Sequence, residues 1–282
     1  MNDFSFDASI VDSKLKELKD KFLNRPSTSR RDELSLLFSC IDNTTLDSKD
    51  SDTSVAQFCR TTLAYAAALP HHLSVAAVCL YPKYISLAKS ILGADSAIKV
   101  ASVVGGFPAG QLPLELKLAE TGYAVRSGAD EVDLVVDRGF ILSGHFDRLF
   151  DEVAAVKKAC GSAVALKVIL ETGELSSLEQ IYHAAITAID AGADFIKTST
   201  GKIPVGATHS AAFVMLSAIA HYYKKYGKMV GFKAAGGISD IDDALFYLFI
   251  AQSFLDTKTV SNQFFRIGTS RLTAQLFNFL SS

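Results

Sequence analysis

The sequence lacks the features that mark a membrane, secreted or nucleic-acid-binding protein. No apolar run in its 282 residues reaches the roughly 18 residues that span a bilayer. The N-terminus is polar and acidic, unlike a secretory signal. The formal net charge of -2 gives no electrostatic basis for binding nucleic acid or an anionic membrane. We therefore expect a cytoplasmic protein with no nucleic-acid partner and no membrane partner.

Cysteine and histidine are too scattered to predict a metal site. The cysteines Cys40, Cys59, Cys79 and Cys160 lie far apart in the chain, with no metal-ligand spacing among them. The six histidines include the adjacent pair at 71–72, but none belongs to a His-Glu-x-x-His pattern. A chain this long needs no disulfide staples. We expect reduced thiols, no metal and no cofactor.

The chain does contain a regular alternation of short apolar runs and longer amphipathic segments, beginning near residue 34. Eight runs are typical of buried parallel strands, which are apolar along their whole length. The runs span residues 36–42, 74–81, 98–107, 131–137, 165–171, 195–197, 229–235 and 264–270. Eight strand–helix units in about 250 residues fit a (β/α)8 barrel. An open doubly wound sheet is the alternative, but no G-x-G-x-x-G follows the first strand.

Helix boundaries and a domain boundary follow from the same pattern. We predict one helix capped by Ser176 with Glu179 and another capped by Ser239. Residues 1–33 are rich in Lys, Asp and Ser, with apolar residues at helical spacing. We predict an N-terminal helical extension over residues 1–33 and a barrel domain over residues 34–282. A disordered tail is the alternative for the extension.

Lysines interrupt three successive apolar runs near their C-terminal ends, where barrel active sites lie. They are Lys167, Lys197 and Lys233, and Asp133 lies one strand earlier. Burial and neighbouring cations both lower the pKa of a lysine, and a neutral amine is a nucleophile toward carbonyls. A single such lysine usually packs its stem and extends its charge into solvent. Three lysines with an acid favour catalysis, provided that all four side chains face inward.

Glycine-rich loops follow three neighbouring strands of the predicted barrel. They contain Gly201-Lys202, Gly236-Gly237 and the segment from Gly268 to Ser270. The loops after strands seven and eight are the usual phosphate site of this fold. Backbone N–H groups and hydroxyls there would bind a dianion. Tight turns alone are the alternative, and the convergence of three loops favours a phosphate site.

Two segments, residues 195–202 and 231–237, resemble the signature segments of the 2-deoxyribose-5-phosphate aldolase family. Shorter similar segments begin at Asp42, Val78, Glu131 and Leu166, and the resemblance runs from about residue 34 to the C-terminus. It implies a class I aldolase on a (β/α)8 barrel that needs no metal. Such an enzyme cleaves 2-deoxy-D-ribose 5-phosphate to glyceraldehyde 3-phosphate and acetaldehyde, a step of deoxyribonucleoside catabolism.

The resemblance also implies a role for individual residues. Lys197 would form the Schiff base, Lys233 would lower the pKa of Lys197, Asp133 would move protons with water, and Lys167 would pair near that acid. Substrate contacts are implied for Asp42, Thr44, Cys79 and Thr200, and phosphate contacts for Gly201, Lys202, Gly236, Gly237 and Ser270.

The sequence departs from the family pattern near the site and at the C-terminus. Ala234 replaces a proline after the second lysine, Arg271 replaces a small residue, and the last six residues lack a tyrosine. Two further hypotheses therefore stay open. One is a Schiff-base aldolase for a different phosphorylated sugar, and the other is a weakly active or inactive barrel that acts as a binding or scaffold protein. The sequence leaves the oligomeric state open, with a homodimer as one candidate.

Overall fold

Eight parallel strands close into a single barrel in the computed structural model, which describes residues 6–25, 30–70, 73–255 and 260–282. Each strand pairs with its neighbours in sequence, and the last pairs with the first. The strands are β1 Ile41–Thr44, β2 Ala77–Leu80, β3 Lys99–Val104, β4 Glu131–Val135, β5 Ala165–Ile169, β6 Phe195–Lys197, β7 Gly231–Ala235 and β8 Phe265–Thr269. The predicted (β/α)8 barrel is confirmed, and the open sheet is excluded.

Helices follow the strands and cover the outside of the barrel. They are α1 Ala8–Leu23, α2 Arg30–Ser39, α3 Asp52–Ala68, α4 Ile85–Leu92, α5 Leu114–Arg126, α6 Arg138–Leu142, α7 Phe146–Cys160, α8 Leu178–Asp190, α9 His209–Tyr226, α10 Ile241–Phe254 and α11 Leu272–Ser281. Short 3₁₀ turns lie at Pro82–Tyr84 and Thr172–Glu174. Among the helices of the described ranges, none has the length and apolar character needed to cross a membrane.

Strand burial explains why the apolar runs predicted this fold. Every residue of β2, β4, β6 and β7 is buried, as expected for strands packed on helices outside and on side chains inside. The strand register then places the charged residues within these runs beside one another on neighbouring strands. Asp133 pairs with Lys167 across β4 and β5, and Lys197 pairs with Lys233 across β6 and β7.

The first predicted strand is placed too early in the chain. Residues 36–39 belong to α2, and β1 begins at Ile41. Leu34, Leu37 and Phe38 are fully buried at the spacing of one helix face. A short apolar run fits both a helix and a strand, and here the helical period extends to Ser39.

Both predicted helix caps are wrong by one residue. Ser177, not Ser176, caps α8, and its Oγ accepts the N–H of Gln180 at 3.2 Å. Asp240, not Ser239, caps α10 by accepting the N–H of Asp243 at 2.9 Å. Adjacent polar residues are equally good caps by composition, so the spacing could not distinguish them.

The N-terminal segment contains a helix that packs on the barrel. Val11 and Phe22 of α1 are buried, and the Phe22 ring lies 5.3 Å from that of Phe246 on α10. Residues 1–5 and 26–29 of the predicted extension lie outside the described residues. The boundary at residue 33 stays a prediction, because α2 begins at Arg30 and continues across it.

Candidate active site

Seven charged side chains meet inside the barrel. Contacts join strands that are not neighbours, such as β4 to β7 and β1 to β5, and such contacts require side chains that point inward. Each side chain belongs to a residue at most 3% exposed. The cations are Lys167, Lys197, Lys233 and Arg266, and the acids are Asp42, Glu131 and Asp133. We call this set the barrel charge cluster.

Asp133 bonds to all three lysines. Its Oδ2 accepts hydrogen bonds from Lys197 Nζ and Lys233 Nζ, both at 2.8 Å. Its Oδ1 accepts from Lys167 Nζ at 2.7 Å. The Cys79 thiol lies 3.9 Å from the same Oδ2. The four residues predicted to be catalytic are therefore in direct contact, with Cys79 beside them.

Asp42 and Glu131 supply the remaining negative charge. Asp42 Oδ2 accepts from Lys233 Nζ at 2.5 Å and lies 3.4 Å from Lys167 Nζ. Glu131 Oε2 lies 2.7 Å from Lys167 Nζ. The Arg266 guanidinium donates to Asp42 at 2.6 Å and to Glu131 at 2.8 Å. Asp42, predicted to contact substrate, thus makes its ion pairs within the cluster.

These surroundings separate the pKa values of the lysines. Burial lowers the pKa of Lys197, and the Lys233 charge lowers it further against the opposing effect of Asp133. Burial also acts on Lys167 and Lys233, but Asp133 and their other carboxylate neighbours outweigh it and raise both pKa values. A neighbouring lysine lowers the pKa of both Lys197 and Lys233 as expected, but only at Lys197 is the net pKa lowered, because carboxylates outweigh that effect at Lys233.

A cavity of about 530 Å³ opens above Lys197 at the C-terminal ends of the strands. Lys197 is the cluster residue that lines it, so the amine borders open space. The other predicted residues along its wall are Thr44, Thr200, Gly201, Lys202, Gly236, Gly237 and Ser270. The predicted substrate and phosphate residues above the cluster therefore share one cavity. Asp42 and Cys79 are buried below that wall.

The loops after β6 and β7 are packed backbone to backbone beside this cavity. Gly201 and Gly236 have positive φ angles of 72° and 93°, a conformation that glycine adopts freely. A Cβ on Gly206 would lie 2.3 Å from the carbonyl oxygen of Gly236. This position therefore requires glycine, which the sequence analysis missed because nothing in the sequence shows which loops touch.

Cationic side chains at the cavity rim differ in how they are held. Lys202 Nζ donates to the carbonyl oxygen of Leu46 at 2.6 Å, joining the loops after β6 and β1. Arg271, the departure from the family pattern, is exposed at the rim immediately before α11. Thr269 Oγ1 accepts the N–H groups of Arg271 and Leu272. Those two amides are thus engaged, and Ser270 stands exposed between them and β8.

Glu171 holds the loop that follows Lys197. Its buried carboxylate accepts the Thr200 N–H at 3.0 Å and the Thr200 hydroxyl at 2.5 Å, and it accepts the Ser199 hydroxyl as well. Arg138 Nη1 lies 3.3 Å from the Oε2 atom of Glu171. Glu171 has a positive φ of 55°, uncommon for a residue other than glycine. The sequence analysis gave Glu171 no role.

Glu131 and Arg266 were also missed as members of the site. The available signal was the one that selected Lys167, a charged residue within an apolar run. No pattern in the sequence indicated that the two would bond each other across the barrel. Among the described residues, no group of acidic, cysteine and histidine side chains is arranged to hold a metal ion.

A buried amine with a lowered pKa at the mouth of a (β/α)8 barrel is typical of an aldolase that acts through a lysine. A family model described as DeoC/LacD family aldolase matches residues 37–253. The deoxyribose-phosphate aldolase of Mus musculus is 43% identical over 245 residues, which cover 84% of this chain and 77% of the mouse protein. That of Agrobacterium fabrum is 39% identical over 259 residues, covering 92% and 94% of the two chains.

Solved structures share the fold. A putative deoxyribose-phosphate aldolase from Coccidioides immitis superposes with a TM-score of 0.74 at 24% identity, covering 98% of each chain. The Aeropyrum pernix deoxyribose phosphate aldolase, described as a tetramer, superposes with a TM-score of 0.70 at 28% identity, covering 95% of this chain and 98% of the other. The chain belongs to the DeoC/LacD aldolase family and is an aldolase. The resemblance drawn from the two lysine segments is confirmed.

Proposed function

We propose that this aldolase cleaves 2-deoxy-D-ribose 5-phosphate to D-glyceraldehyde 3-phosphate and acetaldehyde through a Schiff base on Lys197. One observation carries the assignment of the nucleophile. Lys197 is the lysine of the barrel charge cluster that has a lowered pKa and also lines the cavity. The deoxyribose-phosphate aldolases that cover most of the chain support the choice of substrate.

The chemistry assigns one step to each group. The neutral Lys197 amine attacks the C1 aldehyde of the open-chain sugar, and loss of water from the carbinolamine gives the imine. The C3 hydroxyl gives up its proton as the C2–C3 bond breaks, which releases glyceraldehyde 3-phosphate and leaves an enamine. Protonation at C2 and hydrolysis then release acetaldehyde. Asp133, 2.8 Å from Lys197 Nζ, is the group that we assign to proton transfer, together with water.

Lys233 and Lys167 have supporting roles in this proposal. Lys233 shares the Oδ2 atom of Asp133 with Lys197, so its charge disfavours a proton on Lys197. Lys167 bonds the other oxygen of Asp133 and holds that carboxylate in place. Asp42, Thr44, Cys79 and Thr200 would shape the space around the sugar.

The substrate phosphate would lie against the loops after β6, β7 and β8. Gly201, Gly236 and Gly237 present backbone to the cavity. The Gly201 N–H donates to Ser199 Oγ at 3.0 Å, so the proposed N–H donors to the dianion are those of Gly236 and Gly237. Ser270 and Lys202 complete the proposed site. Arg271 at the rim adds a positive charge. Because its side chain is exposed, we expect it to strengthen phosphate binding and not to block the phosphate site. Arg271→Ser should therefore raise the KM for the phosphorylated sugar.

Borohydride reduction in the presence of acetaldehyde, followed by peptide mapping, tests the nucleophile. The added two-carbon group should appear on Lys197, and Lys197→Arg should remove it, because a guanidinium does not lose its proton. A label on Lys167 or Lys233 would reassign the nucleophile. Absence of label would favour the binding or scaffold hypothesis. Label without cleavage of 2-deoxyribose 5-phosphate would favour a different phosphorylated sugar.

Assembly and location are further proposals. We propose a homodimer in the cytoplasm, which size-exclusion chromatography with light scattering and cell fractionation would test. The tetramer described for the Aeropyrum pernix protein makes a larger assembly the competing result.

A further inference from the structure

A second layer of charge lies below the proposed catalytic residues. Arg266 Nη1 donates to Asp42 Oδ1 at 2.6 Å, and Arg266 Nη2 donates to Glu131 Oε1 at 2.8 Å. Glu131 Oε2 in turn lies 2.7 Å from Lys167 Nζ. Arg266 and Glu131 are each 1% exposed, and neither lines the cavity above Lys197. The mechanism proposed above uses neither residue.

This layer ends at the opposite face of the barrel. Lys99, with a side chain 51% exposed, lies 3.2 Å from Glu131 Oε1. A cavity of about 400 Å³ there is lined by Lys99, Glu131 and Arg266, with Phe195 beneath the guanidinium. Arg266 and Glu131 thus stand between the proposed catalytic lysines and the floor of the barrel. Substrate in the upper cavity would not touch them.

Arg266 and Glu131 each add one charge, of opposite sign, to the interior. With every lysine protonated, the barrel charge cluster has four buried cations and three carboxylates. Lys99 also pairs with Glu131, but its half-exposed charge is screened by solvent and does not belong to the cluster. Unbalanced buried charge is costly. Loss of one proton would remove the single excess positive charge and leave the cluster neutral. An arginine does not lose its proton in a protein. The proton must therefore leave one of the three lysines.

We propose that Arg266 and Glu131 are positioning residues with opposite effects on Lys197, in which Arg266 favours the neutral amine and Glu131 favours the ammonium. The inference rests on the proposed function, since it concerns the nucleophile of that reaction. The groups that face Lys197 are Asp133 on β4, Lys233 on β7 and Cys79 on β2. Arg266 and Glu131 act on Lys197 through the first two, by way of Asp42 and Lys167.

Removing Arg266 and removing Glu131 should shift the pH at which Lys197 loses its proton in opposite directions. Without Arg266, three lysines face three carboxylates, and Lys197 keeps its proton to higher pH. Without Glu131, the excess of positive charge grows, and Lys197 loses its proton at lower pH. Lys197, Lys233 and Arg266 occupy paired positions on adjacent strands, so the Cα atoms of Arg266 and Lys197 are roughly 10 Å apart, and we take this as the scale of the charge separation. A unit charge at that distance, with an effective dielectric constant of about 20, shifts a pKa by roughly one unit.

The test is the pH dependence of acetaldehyde trapping by borohydride in four proteins. These are the unmodified chain, Arg266→Met, Glu131→Gln and the double variant. The pH midpoint of trapping should rise by roughly one unit in Arg266→Met. It should fall by less in Glu131→Gln, because the β4 position level with Lys197 is Val135, four residues beyond Glu131. The double variant, which removes one charge of each sign, should have a midpoint between those of the two single variants.

A merely structural role would lower the amount of trapped imine and leave its midpoint unchanged. Midpoints that stay fixed, or that move in the same direction in both single variants, would overturn the inference while leaving Lys197 as nucleophile. Absence of trapping in the unmodified chain would instead overturn the proposed function, and the inference with it. If Arg266→Met does not fold by circular dichroism, Glu131→Gln is nearly isosteric and carries the test alone, with a fall in midpoint expected.

Discussion

Replacement of Lys233 by methionine should move the reaction to higher pH. Lys233 Nζ and Lys197 Nζ bond the same oxygen of Asp133, each at 2.8 Å. The two nitrogens are therefore no more than about 5.6 Å apart. Methionine keeps most of the volume of the lysine stem but removes its charge, so the electrostatic effect on Lys197 is tested with little change in packing.

The expected size follows from that separation. Two unit charges about 5.6 Å apart interact by about 3 kcal/mol at an effective dielectric constant of about 20, or about two pKa units. Lys233→Met should thus raise the Lys197 pKa by about two units and lower the neutral fraction near pH 7 by about 100-fold. Asp42 and Asp133 both lose a cationic neighbour, and their negative charge acts in the same direction.

The measurement is the rate of imine formation between pH 5 and pH 10, trapped with borohydride. Lys233→Arg is the matched control, because it keeps a positive charge beside Asp133 and should keep the midpoint much closer to that of the unmodified chain. A methionine variant with an unchanged midpoint would refute the electrostatic role of Lys233. A midpoint at lower pH would reverse the sign of the argument.

Two further predictions concern the carboxylates. Glu171→Gln should lower the free energy of unfolding by about 1–3 kcal/mol and raise KM, because the loop after Lys197 loses a charged acceptor. Urea denaturation and steady-state kinetics measure these effects, with substitution of the more exposed Glu174 by Gln as the control. Equal effects in the two variants would contradict the prediction. Asp42, Glu131 and Asp133 have pKa values below their ordinary range, where nearby lysine and arginine charges outweigh burial, so the stability that they contribute should be complete above their unfolded pKa near 4 and lost as pH falls toward about 2; thermal unfolding from pH 6 to pH 2 should show this loss, and a constant melting temperature would contradict it.

The barrel could be predicted because each strand carries its own signal. A parallel strand buried on both faces is apolar throughout, and the run from Glu131 to Val135 indicated β4 directly. The interruptions of such runs were equally informative, since a charged residue such as Lys167 or Asp133 is costly in a buried strand unless it is paired. Strand boundaries were harder to predict where an apolar run fits both the helical and the strand period, as at residues 36–39.

Contacts across the barrel could not be predicted from spacing. Arg266 and Glu131 are 135 positions apart in the chain and bond side chain to side chain. Their pairing depends on the closure of the barrel and on strand tilt, which fix the side chains that meet at a given height. Residue composition shows that charges are present in the strands, but it does not show which charges neutralise each other.

The same limit explains why the strand pattern alone could not rank the three lysines, which only the family resemblance separated. Burial does not separate them, since each is at most 3% exposed. Their acidic neighbours do, because Lys167 pairs with Asp42, Glu131 and Asp133, Lys233 pairs with two of these acids, and Lys197 pairs with Asp133 alone. The lysine with the fewest acidic partners is the one whose cation is least stabilised, and it is also the one that borders the cavity. The proposal of Lys197 as the nucleophile thus depends on where Asp42 and Glu131 lie.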